Sequence, residues 1–334
     1  MIRRAPDVAI SHRLRQPPYG GSNQFLLALR GELERRGLRV SDGPVSPRAR
    51  SVLLHSYLVD MERRPSGRVV HRVDGPIGLY RGADDGADER IVEINRELAD
   101  ATILQSHYSL EAHRELGLEL REPVVIPNAV DPEIFHPPAR RESRAGRRVR
   151  VVATSWSDNP RKGGETYAWL ARTLDRERYE LTFVGRASVD VEAEHTLSPL
   201  PSVELAQVLR GQDVYVAASL HDPCSNALLE ALACGLPALY ARSGGHPELV
   251  GDAGLGYDDQ EELPGLLDRL VGELDARRAA SRSSTAMTGS PERTSSLTEG
   301  RSSSSTCSGS SRTSPAPSTC CTWGAAPGPT TRAS

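Results

Sequence analysis

The chain of 334 residues has room for about two domains of ordinary size, and its composition, 38% hydrophobic and 25% charged, supports a packed core. A formal net charge of −3 excludes a globally basic surface for nucleic acid, and no apolar run approaches the roughly 18–20 residues that span a bilayer. The opening residues carry no apolar secretory stretch and the five cysteines lack regular spacing, so a cytoplasmic protein without a disulfide framework is expected, in at most peripheral contact with membranes.

Short β-rich runs alternate with helical periodicity along the chain. Strands are predicted at residues 7–10, 51–55, 68–73, 101–105 and 124–126. Between the first two, Phe25, Leu26, Leu29 and Leu33 recur at helical spacing within 22–36, and Gly37 suits the left-handed residue that closes a helix. Pro137 and Pro138 lead into a polar, Arg-rich stretch without periodicity, so 137–148 reads as a linker. A second series follows: strand 149–154, helix 164–174, strand 180–184, helix 202–209, strand 214–218, helix 226–234, strand 237–241 and helix 261–279. Strands alternating with helices call for parallel sheets covered on both faces. The expected architecture is α/β, with two Rossmann-like domains (1–136 and 149–280) facing each other across a cleft. Ligands of such sheets sit beyond the carboxyl ends of the strands. From Ser281 onward, 26 of 54 residues are Ser or Thr and Leu297 is the sole Val, Ile or Leu. Residues 281–334 are therefore expected to be a disordered tail, and the abrupt break in character is what out-of-frame translation of a GC-rich gene would produce.

Of the 41 basic residues, 40 are arginine and one, Lys162, is lysine. A coding bias explains the arginines; a lone lysine is either chance on a solvated surface or a site that needs a compact ammonium. Lys162 follows Arg161 and precedes Gly163-Gly164, directly after a predicted strand. Two cations beside a helix start suit a diphosphate, against the plainer reading of a solvated turn. Farther along, Asp222-Pro223-Cys224 precedes a helix that Ser225 or Asn226 caps and Gly235 ends. Its other positions are apolar all round, so it should be buried, and Glu230 stands in its middle. Such a carboxylate needs donors, from an internal arginine or from ligand hydroxyls. The amides near Cys224, Ser225 and Asn226 form an anion site. Gly244-Gly245 and Gly20-Gly21 each permit close approach of backbone to a ligand.

Read in order, Gly20-Gly21, Pro127-Asn128-Ala129-Val130-Asp131, Pro160-Arg161-Lys162-Gly163, Asp222 through Glu230, and Gly244-Gly245-His246-Pro247-Glu248 resemble glycosyltransferase family 4, retaining enzymes of the GT-B fold. The resemblance spans roughly residues 7–280. It implies that Asp222 and Glu230 stand for the family's paired acids, Glu-x7-Glu, with Glu230 on the nucleotide ribose and Asp222, one methylene shorter, near the donor sugar. Lys162 would hold the diphosphate. The family's further phosphate-binding arginine is replaced by Ser155-Trp156, which leaves Arg161 as the nearby substitute. Gly20 and Gly21, with Gly244 and Gly245, would line the cleft, and Cys224, Ser225 and Asn226 would meet the donor. On the acceptor side, the end of strand 68–73 favours Asp74, paired with Arg72 and with His71 turned to the opposite face; an ordinary Asp-Gly-Pro turn is the alternative.

No Asp-x-Asp spacing and no ligand-like cluster of His and Cys occurs, so neither metal nor cofactor is expected, the nucleotide sugar being a co-substrate. The resulting expectation is a retaining glycosyltransferase, with Asp74, Lys162 and Asp222 as catalytic residues. It would move a sugar from a nucleotide-diphosphate donor to an unidentified saccharide, lipid-linked or small-molecule acceptor. Two alternatives stand beside it. One is a sugar-nucleotide epimerase of the same fold, for which no clear acid/base pair is present. The other is a catalytically impaired nucleotide-binding protein, because the Ser/Thr-rich tail offers no apolar stripe for the C-terminal helix that crosses back in GT-B chains.

Overall fold

β-Branched runs and the helices between them form two parallel sheets in a computed structural model, which describes residues 5–15, 20–57, 59, 64–83 and 85–289, with backbone alone from 282. The N-terminal elements are β1 (Val8–Ile10), α1 (Gly20–Arg35), β2 (Val40–Asp42), β3 (Ser51–His55), β4 (Arg68–Val73), α2 (Ile77–Arg81), α3 (Ala87–Leu98), β5 (Ala101–Leu104), α4 (His107–Glu115) and β6 (Pro123–Val125). The C-terminal elements are β7 (Val149–Trp156), α5 (Gly164–Thr173), β8 (Tyr179–Arg186), β9 (His195–Leu197), α6 (Ser202–Arg210), β10 (Val214–Ala217), α7 (Asn226–Ala233), β11 (Ala238–Ala241), α8 (His246–Val250), β12 (Gly254–Tyr257), α9 (Leu263–Gly272) and α10 (Leu274–Gly289). Each set makes a six-stranded sheet, ordered β2-β1-β3-β4-β5-β6 and β12-β11-β10-β7-β8-β9. Every pairing is parallel, so the connections must cross over a sheet face and all carboxyl ends of one sheet point the same way. The two-sheet α/β architecture expected from the alternation is therefore present.

Strand alternation sorts the C-terminal core into two layers. Val151, Ala153, Phe183 and Val216 pack with α5 and α9 on one face, and Val152, Tyr215 and Leu236 pack with α6 and α7 on the other. The N-terminal sheet buries a smaller apolar set, including Ala9, Val52, Leu54 and Val69 against Ile94 of α3. The polar stretch 137–148 falls between β6 and β7 and is docked by its arginines. Arg141 donates to the carbonyls of Cys234 and Gly235 at the end of α7, at 2.8 and 2.9 Å. Arg147 bonds Asp213 at 2.7 Å.

β7 and β8 each end two residues beyond their predicted ends, and larger differences lie near the C-terminal end. The helix expected at 261–279 is two helices, α9 and α10, that meet at Glu273. α10 also runs through 281–289, where a structureless tail was expected. The tertiary anchors of α10 lie in its first half, from which the helix runs on: Arg277 donates to Asp252 O at 2.9 Å, Arg278 bonds Asp213 at 2.9 Å, and Leu274 and Ser281 are buried. The remainder of that expected tail, 290–334, lies outside the described residues.

Candidate active site

The loops that follow the strands of both sheets converge on a cavity of about 570 Å³. Ser56 and Tyr57 follow β3, Asp74 and Gly75 follow β4, and Gln105 follows β5, while Trp156, Arg186 and Ser219 stand at or after the ends of β7, β8 and β10. Eight residues expected at the site line it: Gly20, Gly21, Asp74, Lys162, Asp222, Cys224, Ser225 and Asn226.

Lys162 ends a single 3-10 turn, Pro160–Lys162, whose start is capped by the Asn159 side chain. Its ammonium lies 2.7 Å from Asp222 Oδ2 and 4.6 Å above the ring of Tyr80, which belongs to the N-terminal half. Burial opposes that charge, but the Asp222 carboxylate and Tyr80 outweigh it and raise the lysine above its ordinary value. Burial likewise pushes Asp222 up, and Lys162 more than reverses this, leaving it below the usual carboxylate range. The pair is thus ionic. Arg161, the expected second phosphate cation, does not line the cavity. Its guanidinium packs against Gly82, the residue that closes α2. A 3-10 turn has three residues per revolution, so the two neighbouring cations point to different sides.

Gly244 and Gly245, expected to line the cleft, instead stand behind the Asp222-Pro223 loop. A Cβ on Gly244 would come within 2.3 Å of Asp222 O, and one on Gly245 within 2.3 Å of Pro223 O. Gly245 N also donates to Asp222 O at 2.9 Å. The glycine pair fixes the loop that carries Asp222 and leaves ligand contact to the loop itself.

α7 begins with Ser225, whose hydroxyl accepts from Leu228 N at 3.4 Å. Asn226 then joins the two halves: its amide donates to Gly21 O at 3.0 Å, and its oxygen accepts from Asn128 at 2.8 Å. Glu230 lies one turn beyond Ala227, which lines the cavity, but Glu230 itself is half-buried and not among the lining residues. Its carboxylate has no hydrogen bond or ion pair among the described residues, and burial alone pushes it up to about 8. Among the described residues no arginine pairs with this acid.

On the opposite wall Asp74 accepts from Arg72 at 2.9 Å and from the Gln105 amide. Arg72 also donates to Asn128 at 2.9 Å and to His55 Nδ1 at 3.1 Å, and lies 4.1 Å from the centre of the Phe25 ring. The pairing with Asp74 expected from alternation is present, and His71 faces away, bonded to Ser56 O and Asn95. Burial lowers His55 to about 4, so it is neutral. The sequence reading did not single out His12, His55, Tyr57, Tyr80, Arg81 or Arg186, all of which line the cavity. Arg186 alone had a usable signal, its place just past a predicted strand; Tyr80 and Arg81 sit in a five-residue helix too short for periodicity to register. The one cluster of metal-ligand type among the described residues, Glu180, Glu194 and His195, lies elsewhere, and both its carboxylates bond Arg148.

Residues 152–272 match the family model described as Glycosyl transferases group 1. MMP alpha-(1->4)-mannosyltransferase of Mycolicibacterium hassiacum is 28% identical over 196 residues, covering 53% of this chain and 46% of that protein. D-inositol 3-phosphate glycosyltransferase of Paenarthrobacter aurescens is 29% identical over 180 residues, covering 47% and 42%. The chain thus spans about half the length of the curated relatives it matches. Among solved structures, sucrose-phosphate synthase from Thermosynechococcus elongatus superposes with a TM-score of 0.68 at 17% identity, over 88% of this chain and 98% of that one. The fold is GT-B. A further GT-B neighbour, Anabaena HepE in complex with UDP, superposes with a TM-score of 0.62 at 16% identity, over 84% and 94% of the two chains.

Proposed function

We propose that the chain is a glycosyltransferase that moves a sugar from a nucleotide-diphosphate donor to an acceptor, with retention of anomeric configuration. The observation that carries this reading is the C-terminal wall of the cavity, where Lys162 and the start of α7 lie together and a partnerless Glu230 stands one turn farther along that helix. The family match over 152–272 and the UDP complex of a fold neighbour support the same donor class.

In this reading residues 149–280 bind donor and residues 1–136 bind acceptor, and closing the gap completes the site. Lys162 and the amides at Cys224, Ser225 and Asn226 take the diphosphate, so that cation and helix dipole meet the charge that develops on the leaving group without a metal or cofactor. Asp222, oriented by Lys162, faces the donor sugar. Glu230 accepts from the ribose hydroxyls, which supply the donors that the protein does not. Gly20 and Gly21 let the opposing loop approach, and Asp74, held by Arg72 and Gln105, faces the acceptor. The protein works in the cytoplasm on this reading; among the described residues no helix is long and apolar enough to cross a membrane.

A thermal-shift screen of nucleotide sugars identifies the donor, since a ligand of the native state raises its melting point. With that donor, Lys162→Ala and Glu230→Ala each abolish transfer while circular dichroism stays unchanged. Normal turnover by either variant contradicts the assignment, and binding by the wild type without any turnover makes the chain a nucleotide-binding protein instead.

A further inference from the structure

Among the described residues four cations line the cavity, namely Arg72, Arg81, Lys162 and Arg186. Three of them are committed to carboxylates. Arg72 pairs with Asp74 at 2.9 Å, Arg81 with Asp85 at 3.3 Å and Lys162 with Asp222 at 2.7 Å. Arg186 forms no ion pair among the described residues, although Asp158 stands exposed on the same cavity wall. A diphosphate carries more negative charge than the mutually neutralised Lys162 and Asp222 offset, so an uncompensated cation beside the helix amides would strengthen its binding.

The backbone presents Arg186 for this task. β7 and β8 run side by side with Trp156 in register with Arg186 and Ser155 with Gly185, so the arginine reaches the same level as the loop leading to Lys162. Gly185 has φ +125°, and a Cβ there would lie 1.6 Å from Ser155 O. Only glycine lets the two strands close in this way and end β8 on Arg186. The guanidinium is exposed, with its central carbon 5.9 Å from the centre of the Trp156 ring, and it donates to Trp156 O at 3.4 Å. The ring and the carbonyl of Trp156 are thus both neighbours of the guanidinium, which keeps donors left over for a ligand. Arginine suits the role because its fork of N–H groups matches phosphate oxygens two at a time.

We propose that Arg186, seated on Trp156, is a phosphate-binding residue for the nucleoside diphosphate portion of the donor. This rests on the reading of the cavity as a donor site. Calorimetric titration of the full chain with UDP, GDP and ADP, each beside its nucleoside, tests both. For the diphosphate that the wild type binds, Arg186→Ala weakens binding about tenfold or more, as loss of a charge-assisted hydrogen bond does, and leaves the nucleoside within about twofold. Arg186→Lys recovers part of the loss. Trp156→Leu costs about threefold, the worth of an exposed cation–π contact, and the melting point of Arg186→Ala is unchanged because the side chain is exposed. Equal losses for nucleoside and diphosphate would place the guanidinium on the base, and no loss would remove it from the site; either outcome overturns the proposal alone. A wild type that binds none of the three diphosphates overturns the donor reading itself, before any variant is made.

Discussion

Behind the C-terminal wall of the cavity, β7, β10 and β11 are flanked on both faces by almost wholly buried Leu, Val and Ala side chains. Behind the N-terminal wall, β4, β5 and its following loop, and α3 bury His71, Arg72, Asn95, Thr102 and Gln105, joined in hydrogen-bonded networks that run from Asn95 to His71 and Thr102, and from Arg72 to Asp74 and Asn128. Close apolar packing sets the position of a wall and resists deformation. A polar network sets the direction in which each side chain points, and it fails as a unit when one member is lost. The wall proposed to bind the invariant part of the donor is therefore the packed one, and the wall proposed to bind acceptor is the hydrogen-bonded one.

Four substitutions break or sharpen this contrast, the costliest first. Leu228→Ala, in the layer between α7 and the C-terminal sheet, should destabilise the protein by about 3–5 kcal/mol; a denaturant midpoint close to wild type would mean that packing does not hold that wall. Arg72→Met removes one donor each from Asp74 and Asn128, and because Asp74 keeps its bond from Gln105 and its side chain is 25% exposed the loss is expected nearer about 2–3 kcal/mol, below that of a fully buried pair. An unchanged midpoint would count against the network. Glu230→Gln should act in the opposite direction. Its carboxyl is raised from 4.5 to about 8, so the native state holds a proton that the unfolded chain releases, and native stability falls as pH rises between those values. The glutamine variant is accordingly expected to melt about 2 °C or more above wild type at pH 8 and higher, with the gain fading towards pH 4.5, while nucleotide binding is lost. A melting difference independent of pH would show that the carboxylate is solvated. The smallest effect belongs to Glu248→Gln. Its carboxylate accepts from the amides of His107 and Tyr108 at 3.0 Å each, joining α8 to the start of α4 in the other half, and its loss should cost about 0.5–1 kcal/mol.

Much of the fold could be read from residues alone because its strands are short apolar runs bounded by turns. The predicted strands 51–55 and 68–73 coincide with β3 and β4, and helix 226–234 with α7 to within one residue. The strands that escaped reading are β2, β9 and β12, each three or four residues long. β9 (His195–Leu197) is exposed along its whole length, and β12 contains two glycines, so neither shows the apolar run or the alternation that marks a strand. At the site, the eight lining residues that were legible sit in glycine-bearing loops or at the start of a capped helix, where local chemistry betrays position. The orientations of Arg161 and of Gly244-Gly245 were not legible, because they depend on which way a tight turn points and on which loop a glycine must admit. His12, His55 and Tyr57 reach the cavity through the sheet order, which no local pattern encodes.

The ring of Tyr80 covers the ammonium of Lys162 from across the gap, while Asp222 holds it from within its own half. Spreading the halves apart would strip the aromatic lid from this ion and let bulk water reach it, so its electrostatic strength depends on how far apart they stand. Any ligand that draws on that strength must favour the shut arrangement by the same free energy that shutting adds to its affinity.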